Sequence, residues 1–280
     1  MQAFDEFRNE GNLYWSLVKF ASENLGYSNK KGVYSYSYDD IYNLCAKYNI
    51  QCDDILINKI IKYSELRAHL INSTIKMNLM DVEKAKEVFE TLYEEYIALD
   101  LKCKIPLNKQ KGDMKQIAYF TSIINIVTEK TIKSIFGNSS TKLFDDDPKK
   151  LVYILDDENR LVGVGSRRFD GAYPSTISPI VVWEIKEYYY TTTFGSRIAD
   201  AVYETQLDGF EFNNLLANTG IKVFHVLFID AYHTWWDMGK NYLCRIIDAL
   251  NMGLVDEVIV GNEVISRWPE VLKQLIYKSE

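Results

Sequence analysis

Three charged residues in the middle of the chain have types and spacing that could support metal-assisted chemistry. Asp170 precedes a glycine, and Glu184 and Lys186 follow the run 180–183, whose β-branched and aromatic composition is typical of a buried strand. Because side chains alternate along a strand, Glu184 and Lys186 share one face, with their Cα atoms roughly 6.6 Å apart. If Asp170 converges on that face, two carboxylates could bind a divalent metal while the ammonium group points to the same place.

The same residues have a simpler interpretation. Glu184 and Lys186 could form a solvated ion pair at the end of a strand, an arrangement that contributes little to stability. Their position at the end of a strand that leaves a core favours the chemical interpretation.

Asp170 followed by Glu184-Ile185-Lys186 resembles the signature of the PD-(D/E)XK nuclease superfamily, which includes the type II restriction endonucleases. The resemblance covers residues 109–260. It implies that Asp170 and Glu184 bind Mg²⁺, for which Mn²⁺ could substitute, with the carbonyl of Ile185 as a further ligand. It also implies that Lys186 orients the attacking water or stabilises the transition state.

Two further positions relate to that signature. Phe169 precedes Asp170 where the family often has Pro, a position that is loosely kept in such enzymes. In the family, a Glu from the helix ahead of the catalytic strands often joins the metal site, and Glu129 is the residue here that could match. An exposed helical Glu is the alternative interpretation of Glu129.

Several residues around this centre could contact phosphate groups. Ser196 lies at a predicted helix N-terminus, where backbone N–H groups and the helix dipole favour an anion. Tyr203 and Gln206 lie on the same predicted helix, where the family often has a Tyr or Gln that faces the site. Ordinary surface or packing use is the open alternative for each residue. The predicted DNA contacts are Arg167, Arg168, Thr191, Thr192, Thr193, Ser196, Arg197 and Gln206.

The composition restricts the partners that the chain could have. A net charge of −7 over 280 residues argues against a protein that coats nucleic acid through bulk positive charge. It is compatible with a sequence-specific enzyme, which needs only a local basic surface. One such surface could lie between Lys102 and Lys142, where lysines outnumber acidic residues, although a solvated helix face is an equal alternative.

The cysteines, the histidines and the apolar segments together predict where in the cell the protein lies. The four cysteines form no CxxC pair and the three histidines lie apart from them, so we expect no structural zinc site. The N-terminus lacks the features of a signal peptide, and no apolar run approaches the roughly 18 residues of a membrane span. We therefore expect a cytoplasmic protein with reduced thiols and no membrane partner.

Hydrophobic periodicity divides the chain into an N-terminal helical region, 1–104, and a mixed region of strands and helices, 105–280, which the resemblance implies is a PD-(D/E)XK nuclease domain. The helices are predicted over 4–25, from 39, from 53 or 54, over 81–101 and over 114–135. Strands are predicted over 151–155, 161–165, 180–186, 223–229 and 255–260, with helices over 196–207 and 236–250. This order predicts a mixed α/β sheet flanked by helices, as in the core of restriction endonucleases. The helical region could serve DNA recognition or dimerisation.

The sequence therefore favours a Mg²⁺-dependent DNA endonuclease, of the type II restriction kind, that hydrolyses phosphodiester bonds at a specific site in double-stranded DNA. The alternatives are another phage-defence or recombination nuclease, and a non-catalytic DNA-binding protein on a nuclease-like fold. One catalytic set without an internal repeat predicts a homodimer, because two subunits related by the two-fold axis of a palindromic duplex can cut both strands.

Overall fold

The N-terminal third of the chain folds into helices whose starts are set by polar side chains. In the computed structural model, which describes residues 1–112, 115–137, 144–190 and 195–279, Ser37 forms a capping box with Asp40. Asp53 and Asp81 each accept a hydrogen bond from a backbone N–H of the helix that follows. The helices are α1 (Asn12–Leu25), α2 (Tyr38–Lys47), α3 (Asp54–Leu70), α4 (Lys76–Asn78) and α5 (Val82–Ala98), with a π-helical turn over Ile71–Ile75 between α3 and α4.

In the first half of the chain, two predicted helices begin several residues later than the periodicity indicated. Helix α1 begins at Asn12, after residues in turns, and not at position 4. Helix α6 (Tyr119–Phe136) begins five residues after the predicted start. The stretch before α6 folds back on itself, because Leu107 bridges Ile117 and the Ala118 N–H donates to the Pro106 carbonyl at 2.9 Å.

The main sheet contains both strand directions. Strand β3 (Gly171–Tyr173) pairs antiparallel with β4 (Val181–Glu187), and β4 pairs parallel with β5 (Phe224–Asp230), which pairs parallel with β6 (Glu257–Val260). The predicted hairpin, β1 (Tyr153–Leu155) and β2 (Leu161–Val164), forms a separate antiparallel sheet. The predicted mixed α/β class is confirmed.

Helices cover both faces of the sheet. Because side chains alternate along β4, successive residues of this strand point to opposite faces. Trp183 packs in a core with α6 and α9 (Val264–Ser279), where its ring meets that of Trp268 at 5.5 Å. Val182 points to the other face and packs with Phe212 of α7 (Ser196–Thr219), while α8 (Lys240–Asn251) packs further along that face. Glu184 and Lys186 therefore face α7.

Helix α7 extends twelve residues beyond its predicted end. A glycine usually ends a helix, yet Gly209 lies inside α7. A Cβ at this position would lie 2.2 Å from the carbonyl oxygen of Leu254, so Gly209 allows α7 to approach the connection between α8 and β6. At the other helix, a π-helical turn over His233–Met238 delays the start of α8 from the predicted position 236 to Lys240.

A buried charge network joins the N-terminal helices to α8. Arg67 of α3 is fully buried and donates to both carboxylate oxygens of Asp248, at 2.9 and 3.0 Å, and the Tyr63 hydroxyl donates to the same carboxylate at 2.6 Å. Helix α5, on the N-terminal side of the predicted boundary at 104/105, packs against α6 through Phe89 and Leu92. No helix in the described ranges is both long and apolar enough to cross a membrane.

Candidate functional site

Backbone pairing at the start of β3 places Asp170 beside β4. The Asp170 N–H donates to the Trp183 carbonyl at 3.0 Å, and the Ile185 N–H donates to Asp170 Oδ2 at 2.8 Å. Because the N–H and C=O of one strand residue point to the same side, the Ile185 carbonyl also faces Asp170. Gly171 permits this approach, since a Cβ there would lie 2.0 Å from the Trp183 ring. The Asp170 side chain remains exposed at the surface of the site.

Glu184 and Lys186 lie together on the α7 face of β4, as their spacing predicted. Both side chains are buried, and Lys186 Nζ lies 2.5 Å from Glu184 Oε2. The other Glu184 oxygen, Oε1, accepts from the guanidinium of Arg167. Glu184 is therefore held by two cations, and only Lys186 shares its strand.

Two acidic residues of α7 complete the cluster and were not anticipated from the sequence. Glu204 Oε2 accepts from Arg167 Nη1 at 2.8 Å and from Lys186 Nζ at 3.1 Å. Asp208 is fully buried, with Oδ2 3.7 Å from Arg167 Nη1. The four-residue spacing places both acids on one face of the helix, and that spacing in the helix after β4 is the signal that could have indicated them.

Burial and mutual charge set the protonation states in this cluster. Burial is the largest single influence on the pKa of Lys186 and would lower it, but the Glu184 charge, the nearby Tyr188 and the hydrogen bond to Glu184 together raise it by more. The net shift is upward, and the side chain stays an ammonium. Burial raises the pKa of Asp208 to about 7, against the opposing effect of Arg167. Restricted hydration raises the pKa of Asp170, with a further contribution from the Glu184 charge.

The structure brings only some of the predicted site residues together. Asp170, Glu184, Lys186 and Arg167 share the cluster, and Arg167 serves there as an ion-pair partner of acids. Arg168 is exposed, and Gln206 is half-buried on α7. The predicted phosphate contacts Thr191, Thr192 and Thr193, and the side chains of Ser196 and Arg197, lie outside the described residues.

Glu129 is not brought to this cluster. Its Oε2 accepts from the backbone N–H groups of Lys102 and Cys103, at 2.7 and 2.6 Å, and its Oε1 lies 3.5 Å from Lys133 Nζ. Helix α6, which carries Glu129, packs on the Trp183 face of the sheet, opposite to Glu184. Glu129 therefore binds the backbone that follows α5.

The oxygen atoms beside the start of β3 are of the kind that a hard divalent cation prefers. Asp170 accepts from the Ile185 N–H through Oδ2, and Glu184 directly precedes Ile185 in β4. These are oxygen ligands, which Mg²⁺ prefers. Within the described ranges no set of three His, Cys, Asp or Glu side chains is arranged to hold a metal, so water would have to complete the coordination here.

Fold and cluster define a mixed α/β protein with a charged site where β3 meets β4. The family model described as "Domain of unknown function (DUF7687)" matches residues 80–275, which is more than half of the chain, and the chain belongs to this family. The model described as "Domain of unknown function (DUF7690)" matches residues 1–74. No curated protein and no solved structure matches the chain.

Proposed function

We propose that the chain is a Mg²⁺-dependent endonuclease that hydrolyses phosphodiester bonds in double-stranded DNA, as a restriction enzyme of the type II kind does. The observation that carries this proposal is the joint placement of Asp170, Glu184 and Lys186 at one edge of the sheet, with the Ile185 carbonyl directed to the same side. A phosphodiester is anionic, so a site that attacks it must supply positive charge and an activated water.

Each residue has a role that follows from its position. Asp170 and Glu184 would hold Mg²⁺, which when bound lowers the pKa of a water molecule and neutralises phosphate charge. Lys186 stays protonated and therefore stabilises developing negative charge instead of accepting a proton. Arg167 shares Glu184 with Lys186, so a metal at Glu184 would free Arg167 Nη2 for a phosphate oxygen while Nη1 keeps its bond to Glu204.

Plasmid cleavage in Mg²⁺ tests the proposal. We expect the wild-type protein to cut and EDTA to stop it, and Asp170→Asn and Glu184→Gln each to lower the rate at least ~100-fold, since each removes a metal-binding charge. Asp157→Asn, in the exposed turn between β1 and β2, is the matched control and should cut normally. Cutting by Asp170→Asn or Glu184→Gln at the wild-type rate would remove that residue from the site.

The pairing of Glu184 with two cations favours a second candidate, a DNA-binding protein without catalysis. In that case Arg167 and Lys186 would keep the carboxylate neutralised permanently and no metal would enter. Such a protein would shift DNA in a gel with and without EDTA and would cut it under neither condition.

A further inference from the structure

A tryptophan beyond the proposed catalytic cluster is approached by two lysines. Trp236 lies in the π-helical turn after β5, with Lys76 Nζ 4.7 Å and Lys240 Nζ 4.8 Å from its ring centroid. The two ammonium nitrogens therefore lie within about 10 Å of one another. Lys76 comes from α4 and Lys240 from the first turn of α8, so two distant parts of the chain build this pair.

Neither ammonium group has an acidic counter-charge in the described part of the chain. Lys240 is only 7% exposed, yet it has no hydrogen bond or ion pair within the described residues. Lys76, which is half-buried, has none there either. The acid of this turn, Asp237, pairs with His233 Nδ1 at 2.9 Å. Two cations beside one ring without a carboxylate repel each other, and a buried cation is unfavourable unless something compensates its charge.

The helix that Lys240 begins adds to the positive potential. Helix α8 has twelve residues, and its N-cap Gly239 offers no side chain to the first backbone N–H groups, although the Tyr242 N–H donates to the Gly239 carbonyl at 2.9 Å. Side chains in a helix point back toward its N-terminus, which is how Lys240 reaches the ring of Trp236. The N-terminal end of α8, which has no side-chain cap, and the Lys240 ammonium group therefore lie side by side.

We infer that Lys240, Lys76 and the N-terminus of α8 form a binding site for a phosphate group, with the Trp236 ring as its floor. A phosphate oxyanion can accept from the Lys240 ammonium group and from helix N–H groups, and the Lys76 charge adds to the positive potential there. The site follows β5 at the carboxyl end of the parallel strands, where ligands of open α/β sheets usually bind. The preceding residue, Trp235, packs on Tyr188 just after β4, with ring centroids 5.7 Å apart.

The first test uses inorganic phosphate as the probe. The indole N–H resonance of Trp236, assigned with Trp236→Phe, should shift saturably with phosphate and not with chloride at equal ionic strength. Phosphate should also raise the melting temperature of the wild-type protein. Lys240→Met keeps the aliphatic stem in its packed position and should abolish both responses. Lys19→Met, on the exposed surface of α1, should leave them intact.

A second arm, with a DNA duplex in EDTA, identifies the source of the phosphate. If the group belongs to nucleic acid, Lys240→Met should weaken duplex binding about 3- to 10-fold and lower the salt dependence of log K by about one. If Lys240→Met leaves duplex binding unchanged but loses the phosphate response, the ligand is a small phosphorylated molecule. A Trp236 resonance that responds to neither probe, or responds equally in Lys240→Met, overturns the inference. Because binding is read without cleavage, failure of the proposed nuclease activity leaves this test unaffected.

Discussion

Glu204 of α7 holds two cationic side chains in position. Its Oε2 lies between Arg167 Nη1 and Lys186 Nζ and accepts from both. Without that negative charge Lys186 would keep only Glu184 as an ion-pair partner among the described residues, and Arg167 would keep Glu184 and Asp208. Glu204 is therefore a positioning residue for Lys186 in the proposed reaction.

We expect Glu204→Gln to lower the cleavage rate about 10-fold while DNA affinity is unchanged or higher, because a negative charge near the substrate is lost. Single-turnover cleavage and binding in EDTA separate the two effects. Glu211→Gln, on the same helix and hydrogen-bonded to Ser166, is the control. An equal loss of binding and cleavage would assign Glu204 a purely structural role.

Asp230 at the end of β5 makes the folded state sensitive to pH. The residue is fully buried, with Oδ1 accepting from the N–H groups of Met80 and Ala231, at 2.8 and 2.9 Å, and Oδ2 accepting from the Tyr189 hydroxyl. Burial raises its pKa from 3.8 to about 8, although these hydrogen bonds oppose the shift. The fold therefore favours the protonated acid.

The stability that this preference contributes is fully present below about pH 4 and is lost as pH rises through about 8. We expect the free energy of unfolding to fall by a few kcal/mol across this window. Asp230→Asn keeps the acceptor for both N–H groups and should remove much of that decline. Urea unfolding at several pH values measures it, with the exposed Asp237→Asn as control; an identical decline in Asp230→Asn would show that Asp230 is ionised throughout.

The sequence could place the site residues that share one strand. Glu184 and Lys186 alternate on β4, so their common face follows from strand geometry alone. Arg167 was predicted to contact a phosphate group. Nothing in its local sequence shows that α7 will place Glu204 and Asp208 beside it. Glu129 was placed by chain order, which does not reveal on which face of the sheet its helix packs.

The short strand β3 can pair closely with β4 because residue 171 is a glycine. Adding a methyl group to Gly171 would place Cβ 2.0 Å from the Trp183 ring, which is itself packed on Trp268. The ring cannot withdraw into a filled core, so the β3–β4 pair would have to separate.

We expect Gly171→Ala to destabilise the protein by about 1–3 kcal/mol or more, as overpacking does, and to impair cleavage because Asp170 is the adjacent residue. Gly165→Ala is the matched control, since the nearest atoms would lie at an ordinary 3.6 Å from its Cβ. Denaturant unfolding compares the two, and equal stabilities would show that Trp183 can repack.

Element boundaries were predicted well where the local sequence decides them and poorly where packing does. Helix α3 and strand β4 lie close to their predicted positions because a capping Asp and a β-branched run define them. Helix α7 continues through Gly209, since the close approach of Leu254 requires a residue without a side chain. That tertiary reason cannot be read from local propensity.

The homodimer stays a prediction, and one surface that could have formed it is buried within the chain. Within the N-terminal helical region, the apolar side chains of α5 could have formed an interface, but Phe89 and Leu92 are buried against α6. Helix α7 instead exposes Tyr203, Leu207 and Phe210 at spacings of four and three residues, which places them on one side of the helix.

The Arg67–Asp248 pair spans the two segments that separate family models match. Arg67 lies in the 1–74 segment and Asp248 in the 80–275 segment, and both side chains are buried. Removing one partner of such a pair costs roughly 3–5 kcal/mol. If one segment unfolded, the other would lose this ion pair and the contacts that bury it.

This pair therefore makes the two segments thermodynamically cooperative. We expect calorimetry of the wild-type chain to show one heat-absorption peak whose van't Hoff and calorimetric enthalpies agree. Arg67→Met, which removes the linking charge, should split or broaden that peak, whereas Lys62→Met on the exposed side of α3 should not. Two separate peaks in the wild type would mean that each segment folds independently. A single peak would mean that the two segments, although separate family models match them, fold as one unit.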